Sequence, residues 1–188
     1  MVDIPLRCWC GTLAGVARDV SPDEGFRFVC YCTDCQAFAR FLERPELLDD
    51  AGGTDIVQLP AGRVRFTQGL DVLGCVRFSE KVFRWYATCC RTPVANTAPR
   101  FPVIALLRPV MGPVTRDAAL GPPRCRIYEA SASGPLPASA PPPATARLIA
   151  RRGYKLVQWR LRGLHRPNPF FDARTGRPRA EPTLRDPL

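Results

Sequence analysis

Apolar and polar residues alternate along much of the first two thirds of the chain, and this alternation predicts short β-strands. In "GRVRFTQG", Val64 and Phe66 alternate with arginines, as in a strand that buries one face. The longer stretch "VLGCVRFSEKVFRWYATCC" predicts a hairpin with "SEK" as its turn and an aromatic second strand. We therefore expect a mostly β (α+β) domain over residues 1–128.

A different period marks a single clear helix in this region. In "QAFARFL", Phe38, Phe41 and Leu42 recur at helical spacing, and Pro45 limits the length of the helix. The stretch "APRFPVIALLRPVM" fits either a short helix or a strand of the core. The glycines of "AGGTDIVQLP" instead predict a turn-rich connection.

The composition changes after Tyr128. Residues 129–146 include "SASGPLPASAPPPATA" and are typical of a linker. Residues 147–164 predict an amphipathic helix that lays four apolar side chains on the first domain, namely Leu148, Ile149, Leu156 and Val157. We expect residues past Arg166 to be poorly ordered, so that residues 147–188 form a basic helix and tail.

The positive charge is concentrated in the same C-terminal part. Residues 141–188 carry eleven Arg and Lys against three acidic residues, which accounts for +8 of the chain's net charge of +10. Such a tail is either a solvated, arginine-biased segment or one that meets nucleic acid or anionic surfaces. No apolar run approaches the ~20 residues that span a bilayer, so we expect no membrane partner and a cytoplasmic protein with reduced thiols.

Nine cysteines in this chain are too many for ordinary core residues. Seven fall into three clusters: Cys8 and Cys10; Cys30, Cys32 and Cys35; Cys89 and Cys90. A C-x-C pair closes a disulfide only with strain, but its two thiolates can reach one tetrahedral ion. The chain has a single histidine, His165, so a metal site would be built from sulfur. These clusters predict zinc; iron–sulfur ligation is possible, although its usual spacings are absent.

A redox pair in "CTDC" is the alternative interpretation. Cys35 leads into the predicted helix, whose N-terminus would stabilise a thiolate. A redox pair needs only two sulfurs, however, and leaves Cys30 unexplained. The two isolated cysteines, Cys75 and Cys125, are expected to be small buried apolar residues.

The ordered series "CWCG", "CYCTDC" and a cysteine before "RTP" resembles the glutathione-dependent formaldehyde-activating enzymes, a family that includes centromere protein V. The resemblance covers residues 4–102 and implies an Mss4-like β fold. It implies a structural zinc on Cys8, Cys10 and the third cluster. It also implies a second zinc on the Cys30, Cys32 and Cys35 triplet, with one open position for a substrate thiol such as glutathione.

The chain departs from the pattern of that family at several positions. In the family motif F-C-x-x-C-G, Ala87 stands in place of the first cysteine and Arg91 in place of the glycine, while Cys89 is an additional thiol beside Cys90. One or two zinc ions are therefore expected. A histidine common inside the triplet is replaced by Tyr31.

The activity implied by the resemblance is a carbon–sulfur lyase that handles a thiol–aldehyde adduct of the S-hydroxymethylglutathione type. Such chemistry needs an acid, for which Tyr31 and Asp34 are the nearest residues in the sequence, while Arg91 could meet a glutathione carboxylate. The alternative is a non-catalytic zinc scaffold whose basic tail binds nucleic acid or a protein partner.

Overall fold

The computed structural model describes residues 1–98, 101–112 and 117–186. Within these ranges the chain forms eleven strands, three α-helices and several short 3-10 turns. The strands are β1 (Val2–Arg7), β2 (Ala14–Val20), β3 (Phe26–Cys30), β4 (Thr54–Pro60), β5 (Val64–Gln68), β6 (Leu73–Arg77), β7 (Phe83–Ala87), β8 (Thr92–Thr97), β9 (Val103–Leu107), β10 (Arg126–Ile127) and β11 (Thr183–Leu184). The helices are α1 (Thr33–Phe41), α2 (Asp117–Leu120) and α3 (Ala146–Leu161). The predicted mostly β fold is confirmed.

The strands form two sheets. The smaller is antiparallel, with the order β1-β2-β5. The larger has the order β10-β3-β4-β9-β8-β7-β6-β11, and only its two short edge strands pair in parallel. The predicted strand "GRVRFTQG" corresponds to β5, and the predicted hairpin is β6–β7, in which Cys75 pairs with Trp85.

The core follows from the alternation of side chains across the large sheet. On β7, Phe83 and Trp85 join the main core, which also contains residues of the small sheet such as Ile4 and Phe66. The next residue, Tyr86, packs on the opposite face with Phe38 of α1. Because successive residues of a strand point to opposite faces, the large sheet separates the small sheet from α1.

One connection predicted from sequence is a strand instead. The start of "AGGTDIVQLP" does turn, with Gly52 at a φ of +84°, but Thr54–Pro60 form β4 in the interior of the large sheet. Pairing with β3 on one side and β9 on the other overrides the local turn signal of the glycines. The stretch from "APRFPVIALLRPVM" forms strand β9, and its residues 99–100 lie outside the described ranges.

The predicted C-terminal helix is α3, but a different face of it packs on the sheet. Leu148 packs against the core, whereas Ile149 and Val157 are 62% and 55% exposed, so the expected docking of these two residues is wrong. The inward positions belong to Arg152 and the buried Trp159. The Arg152 guanidinium lies 5.2 Å from the centre of the Phe26 ring on β3 and donates to Gln58 on β4. No helix within the described ranges is long and apolar enough to cross a bilayer.

The Pro-rich segment before α3 follows the edge of the large sheet over part of its length. The Arg126 amide donates to the Pro142 carbonyl (2.8 Å), and the Ala144 amide donates to the Arg126 carbonyl (3.2 Å). The division of the chain at residues 128 and 146 stays a prediction.

Phe170 and Phe171, which follow Arg166, are packed on the main core, so the expectation of poor order is wrong for this part of the tail. Phe170 is fully buried in the main core, and its ring centroid lies 4.9 Å from that of Trp85 and 5.6 Å from that of Phe66. The tail reaches this core past Gly62, where a Cβ atom would lie 2.4 Å from the Arg166 carbonyl oxygen. Burial of an aromatic ring stabilises a tail whose composition alone predicts disorder.

We predict that Phe170→Ala lowers the free energy of unfolding by ~3–5 kcal/mol, because it removes a buried ring and leaves a cavity. Phe101→Ala, at a residue that is 52% exposed, is the matched control and should change stability far less. Urea denaturation of the two variants measures the difference. Equal stabilities would contradict the docking of the tail.

Candidate metal centres

Two turns bring Cys8, Cys10, Cys89 and Cys90 together, and we call this group the four-sulfur cluster. The first turn follows β1, where the Leu13 amide donates to Cys8 Sγ (3.2 Å). The second joins β7 to β8, where the Arg91 amide donates to the Ala87 carbonyl (2.8 Å). Arg91 has a φ of 58°, a left-handed conformation that closes this tight turn.

The sulfur spacing in the four-sulfur cluster fits one tetrahedral ion. Sulfurs at about 2.3 Å from a tetrahedral zinc lie about 3.8 Å apart. Here Cys8 Sγ lies 3.6 Å from Cys10 Sγ and 4.0 Å from Cys89 Sγ, and Cys89 Sγ lies 3.3 Å from Cys10 Sγ and 3.8 Å from Cys90 Sγ. The adjacent cysteines therefore both reach the cluster, and Cys89 offers the fourth sulfur that the sequence left open.

Contacts between the two turns hold the cluster in place. The Trp9 amide donates to Thr92 Oγ1 (2.9 Å), which joins residues on the two turns. Arg44 stacks 4.6 Å from the centre of the Trp9 ring and donates to the Cys90 carbonyl (3.3 Å). The hydrogen bond between Cys10 and the Thr12 hydroxyl is the largest influence lowering the pKa of Cys10, to about 6. A thiol with such a pKa is ready to act as a thiolate ligand.

Cys30, Cys32 and Cys35 form the three-sulfur cluster. Cys30 is the last residue of β3, Cys32 is the residue that caps the N-terminus of α1, and Cys35 lies in the first turn of that helix. The Cys35 amide donates to the Cys32 carbonyl (3.0 Å), so the strand-to-helix junction forms one compact turn.

The sulfurs of the three-sulfur cluster lie within 4.8 Å of one another, and Cys30 Sγ is 3.4 Å from Cys32 Sγ. Hydrogen bonding by Cys30 lowers the pKa of Cys32, and the same contact raises the pKa of Cys30. Among the described residues, no fourth Cys, His, Asp or Glu side chain joins this cluster. Cys30 and Cys35 are buried, and Cys32 is half-buried.

Arg84 is the residue at this cluster that sequence reasoning missed. It comes from β7, its side chain is 4% exposed, and its Nη1 donates to Cys35 Sγ (3.5 Å). Its Nη2 lies 3.6 Å from Asp34 Oδ2. Burial alone would lower the pKa of Arg84, but Cys35, Cys32 and Asp34 raise it. The available signal was an arginine between Phe83 and Trp85, two buried residues of the predicted hairpin.

The residues predicted as acids have partners of their own. The Tyr31 side chain is fully buried, and its hydroxyl donates to Asp49 Oδ2 (2.8 Å). Burial and then this hydrogen bond raise the pKa of Tyr31 to about 12. Asp34 pairs with Arg84, as described above, and Arg91 forms an exposed ion pair with Glu43 (2.5 Å). The catalytic and binding roles of these residues stay predictions.

Comparison with known proteins identifies the family. The family model that describes DUF6151, a family of unknown function, matches residues 1–182. The chain belongs to DUF6151. No curated protein matches it.

Among solved structures, a crystal structure of a Rhodobacter sphaeroides protein from structural genomics is similar, with 17% sequence identity. That match covers 63% of this chain and 96% of the other, with a TM-score of 0.42.

The sulfur positions in the two clusters would allow each to hold a metal ion, and the chemistry of the thiol donors agrees with this geometry. All nine cysteines lack disulfide partners, and Cys75 and Cys125 are buried outside both clusters. Closely spaced thiolates without a metal would repel one another, whereas a divalent ion neutralises two of their charges.

We predict that the purified protein contains close to two metal ions per chain by elemental analysis. Cys8→Ser should remove one ion and unfold much of the domain, because a structural metal contributes its binding free energy to folding. Cys125→Ala, at a buried cysteine outside the clusters, is the control and should keep both ions. A folded protein free of metal would contradict both assignments.

Proposed function

We propose that the protein is a zinc enzyme in which the four-sulfur cluster stabilises the fold and the three-sulfur cluster binds a substrate thiol. The observation that carries this proposal is the unequal number of ligands in the two clusters. Four sulfurs fill a tetrahedral ion and are typical of structural zinc, whereas three protein ligands leave one position for substrate or water. The half-buried Cys32 gives the three-sulfur cluster a side that solvent and small molecules can reach.

Zinc fits the donors, because thiolates are soft ligands and the sulfur spacing suits tetrahedral geometry. A zinc ion bound at the three-sulfur cluster would supply a position at which a substrate thiol loses its proton. The resemblance to the formaldehyde-activating enzymes, which implies an Mss4-like fold, supports the same use of the site and suggests glutathione or a similar cellular thiol as the substrate.

The proposed reaction forms or breaks one carbon–sulfur bond. In the forward direction the thiolate sulfur bonds to the carbonyl carbon of an aldehyde, the carbonyl π pair moves to oxygen, and that oxygen takes a proton to give the S-hydroxyalkyl adduct. The reverse reaction removes that proton and releases the thiolate. We assign the proton transfer to Asp34 rather than Tyr31, because Asp34 and Cys35 of the cluster contact the same Arg84 side chain, whereas Tyr31 is fully buried with a pKa raised to about 12.

Arg84 would support this chemistry through its charge. Three cysteinates, a substrate thiolate and a divalent ion together carry a net charge of about −2, which is costly to bury without a nearby cation. Arg84 is almost fully buried and contacts Cys35 Sγ, so it is placed to offset that charge. In this role it is a positioning residue that acts through the cluster.

A non-catalytic zinc scaffold is the second candidate, and the charge of the C-terminal part favours it. Helix α3 contains no acidic residue, and the +8 surplus of residues 141–188 suits nucleic acid or an acidic protein. Zinc that stays bound without any response to thiols, together with salt-sensitive binding to nucleic acid, would support the scaffold.

The deciding experiment replaces zinc with cobalt and titrates the protein with glutathione and 2-mercaptoethanol. A thiolate that joins the three-sulfur cluster should change the visible absorption of cobalt, because the ligand set changes. Cys35→Ser should abolish the change, while Cys125→Ala should preserve it. If the wild-type spectrum responds to no thiol, the enzyme assignment is wrong.

We further predict that Arg84→Met weakens thiol binding to the cobalt protein by on the order of tenfold or more, since one buried charge is lost beside the cluster. Arg77→Met, on the neighbouring strand β6, is the control and should bind thiol as the wild type does. Arg84→Lys should restore part of the affinity. If the wild type binds thiol and Arg84→Met binds it with the same affinity, the role of Arg84 is wrong. That result would leave the enzyme assignment standing.

A further inference from the structure

Helix α3 is fixed on the large sheet by its charged and aromatic side chains. Arg152 Nη2 and Nε donate to Gln58 Oε1 (2.9 and 3.1 Å), and its guanidinium lies 4.4 Å from the Trp159 ring centre. Lys155 Nζ donates to Glu24 Oε1 (2.7 Å), and Trp159 is buried. These contacts determine which face of α3 points away from the protein.

The outward face of α3 is apolar, and we call it the outer stripe: Ile149, Ala150, Gly153, Tyr154, Val157 and Leu161. Its four large members are all exposed: Ile149 to 62%, Tyr154 to 66%, Val157 to 55% and Leu161 to 82%. Apart from the helix's own nearby backbone and the neighbours of Gly153, no atom of the described residues lies within 4 Å of the position that a Cβ of Gly153 would take, so none of them covers the middle of the stripe. A soluble helix normally shows the reverse arrangement, with apolar residues inward.

Arginines border the outer stripe. Arg147 and Arg151 lie along one edge of the stripe, whereas Arg160 lies within its arc in the last turn of the helix, and all three are exposed. The helix contains no acidic residue to offset them. Apolar residues flanked by arginines, with a tyrosine at the margin, are the pattern of a helix that lies in the surface of an anionic membrane.

From this arrangement we infer that α3 is a membrane-surface anchor. The outer stripe would lie among the acyl chains of the lipids, and the bordering arginines would lie at the phosphates of anionic lipids. The absence of a spanning segment, which led to the expectation of no membrane partner, concerns only helices that cross a bilayer. A second copy of the chain is disfavoured as the occupant, because pairing two such helices would bring basic residues of both together.

The geometry of the helix suits a flat surface. Its 16 residues extend over about 24 Å at 1.5 Å per residue, and the stripe runs along this length. Because the inner face is already held by Gln58 and Glu24, the stripe can meet a membrane without any rearrangement of the fold.

The test is co-sedimentation of the full chain with vesicles of phosphatidylcholine containing phosphatidylglycerol, and with vesicles of phosphatidylcholine alone. We expect binding to the anionic vesicles only, with weaker binding as salt increases. Val157→Asp should weaken that binding by at least about tenfold, because it removes an apolar contact and adds an unfavourable charge. Val2→Asp makes the same change at a residue of β1 that is 49% exposed, and should bind as the wild type does.

The charge is tested separately by the double variant Arg147→Glu and Arg151→Glu, which should also weaken binding by at least about tenfold. Circular dichroism should show that each of these surface variants is folded. The inference is overturned if the wild type does not bind anionic vesicles, or if Val157→Asp binds as well as Val2→Asp, which would indicate attraction of the basic tail to any polyanion. A dimer in sedimentation analysis that Val157→Asp dissociates would also overturn it, in favour of a second copy on the stripe.

Discussion

Strand β7 is the constraint on which the rest of the structure depends. Its side chains alternate between the two faces of the large sheet, so Trp85 enters the main core while Arg84 points to the side of α1. Trp85 receives Phe170 from the tail, Arg84 contacts Cys35, and the turn after the strand carries Cys89 and Cys90. One strand of five residues therefore joins the core, both sulfur clusters and the C-terminal tail. A shift of its pairing by one residue would turn each of its side chains to the other face of the sheet. The strand would then no longer join the core, the two clusters and the tail.

The two sulfur clusters differ in how they are built, and the different roles that we propose for them rest on this difference. The four-sulfur cluster joins two turns that are about eighty residues apart in sequence, so a metal there would cross-link β1 to the β7–β8 turn. The three-sulfur cluster lies within a single strand-to-helix junction and links little of the fold. It has a buried cation beside it, whereas the basic neighbour of the other cluster, Arg44, contacts a carbonyl and a ring. Under the proposed function, a metal in the first arrangement would stabilise the fold, and the second arrangement would bind an anionic ligand.

Arginine is used in the interior as well as on the surface of this protein. Arg84 and Arg152 are held by stacking on aromatic rings and by polar partners, which a planar and weakly hydrated guanidinium allows. Burial lowers the pKa of Arg152 to about 10, which still leaves it charged at neutral pH. Because Arg152 takes up part of the inner face of α3, Ile149, Val157 and Leu161 are left on the outside. The exposed apolar stripe is thus a direct consequence of how the helix is attached.

The sequence by itself determined the class of fold and the chemistry of the clusters. Alternation predicted β5 and the β6–β7 hairpin, and the spacing of the cysteines indicated which sulfurs belong to the same turn, because both signals are local. The tertiary structure decided what depends on residues distant in sequence: that the "AGGTDIVQLP" stretch contributes an interior strand, that Cys89 reaches Cys10, and that Arg84 lies against Cys35. It also decided the orientation of α3, since the helix has hydrophobic residues on more than one side and tertiary contacts, among them those with Gln58 and Glu24, select the inner one. The burial of Phe170 was beyond sequence reasoning for the same reason: a short aromatic segment in a polar tail is ordered only because a core formed by other strands has room for its ring.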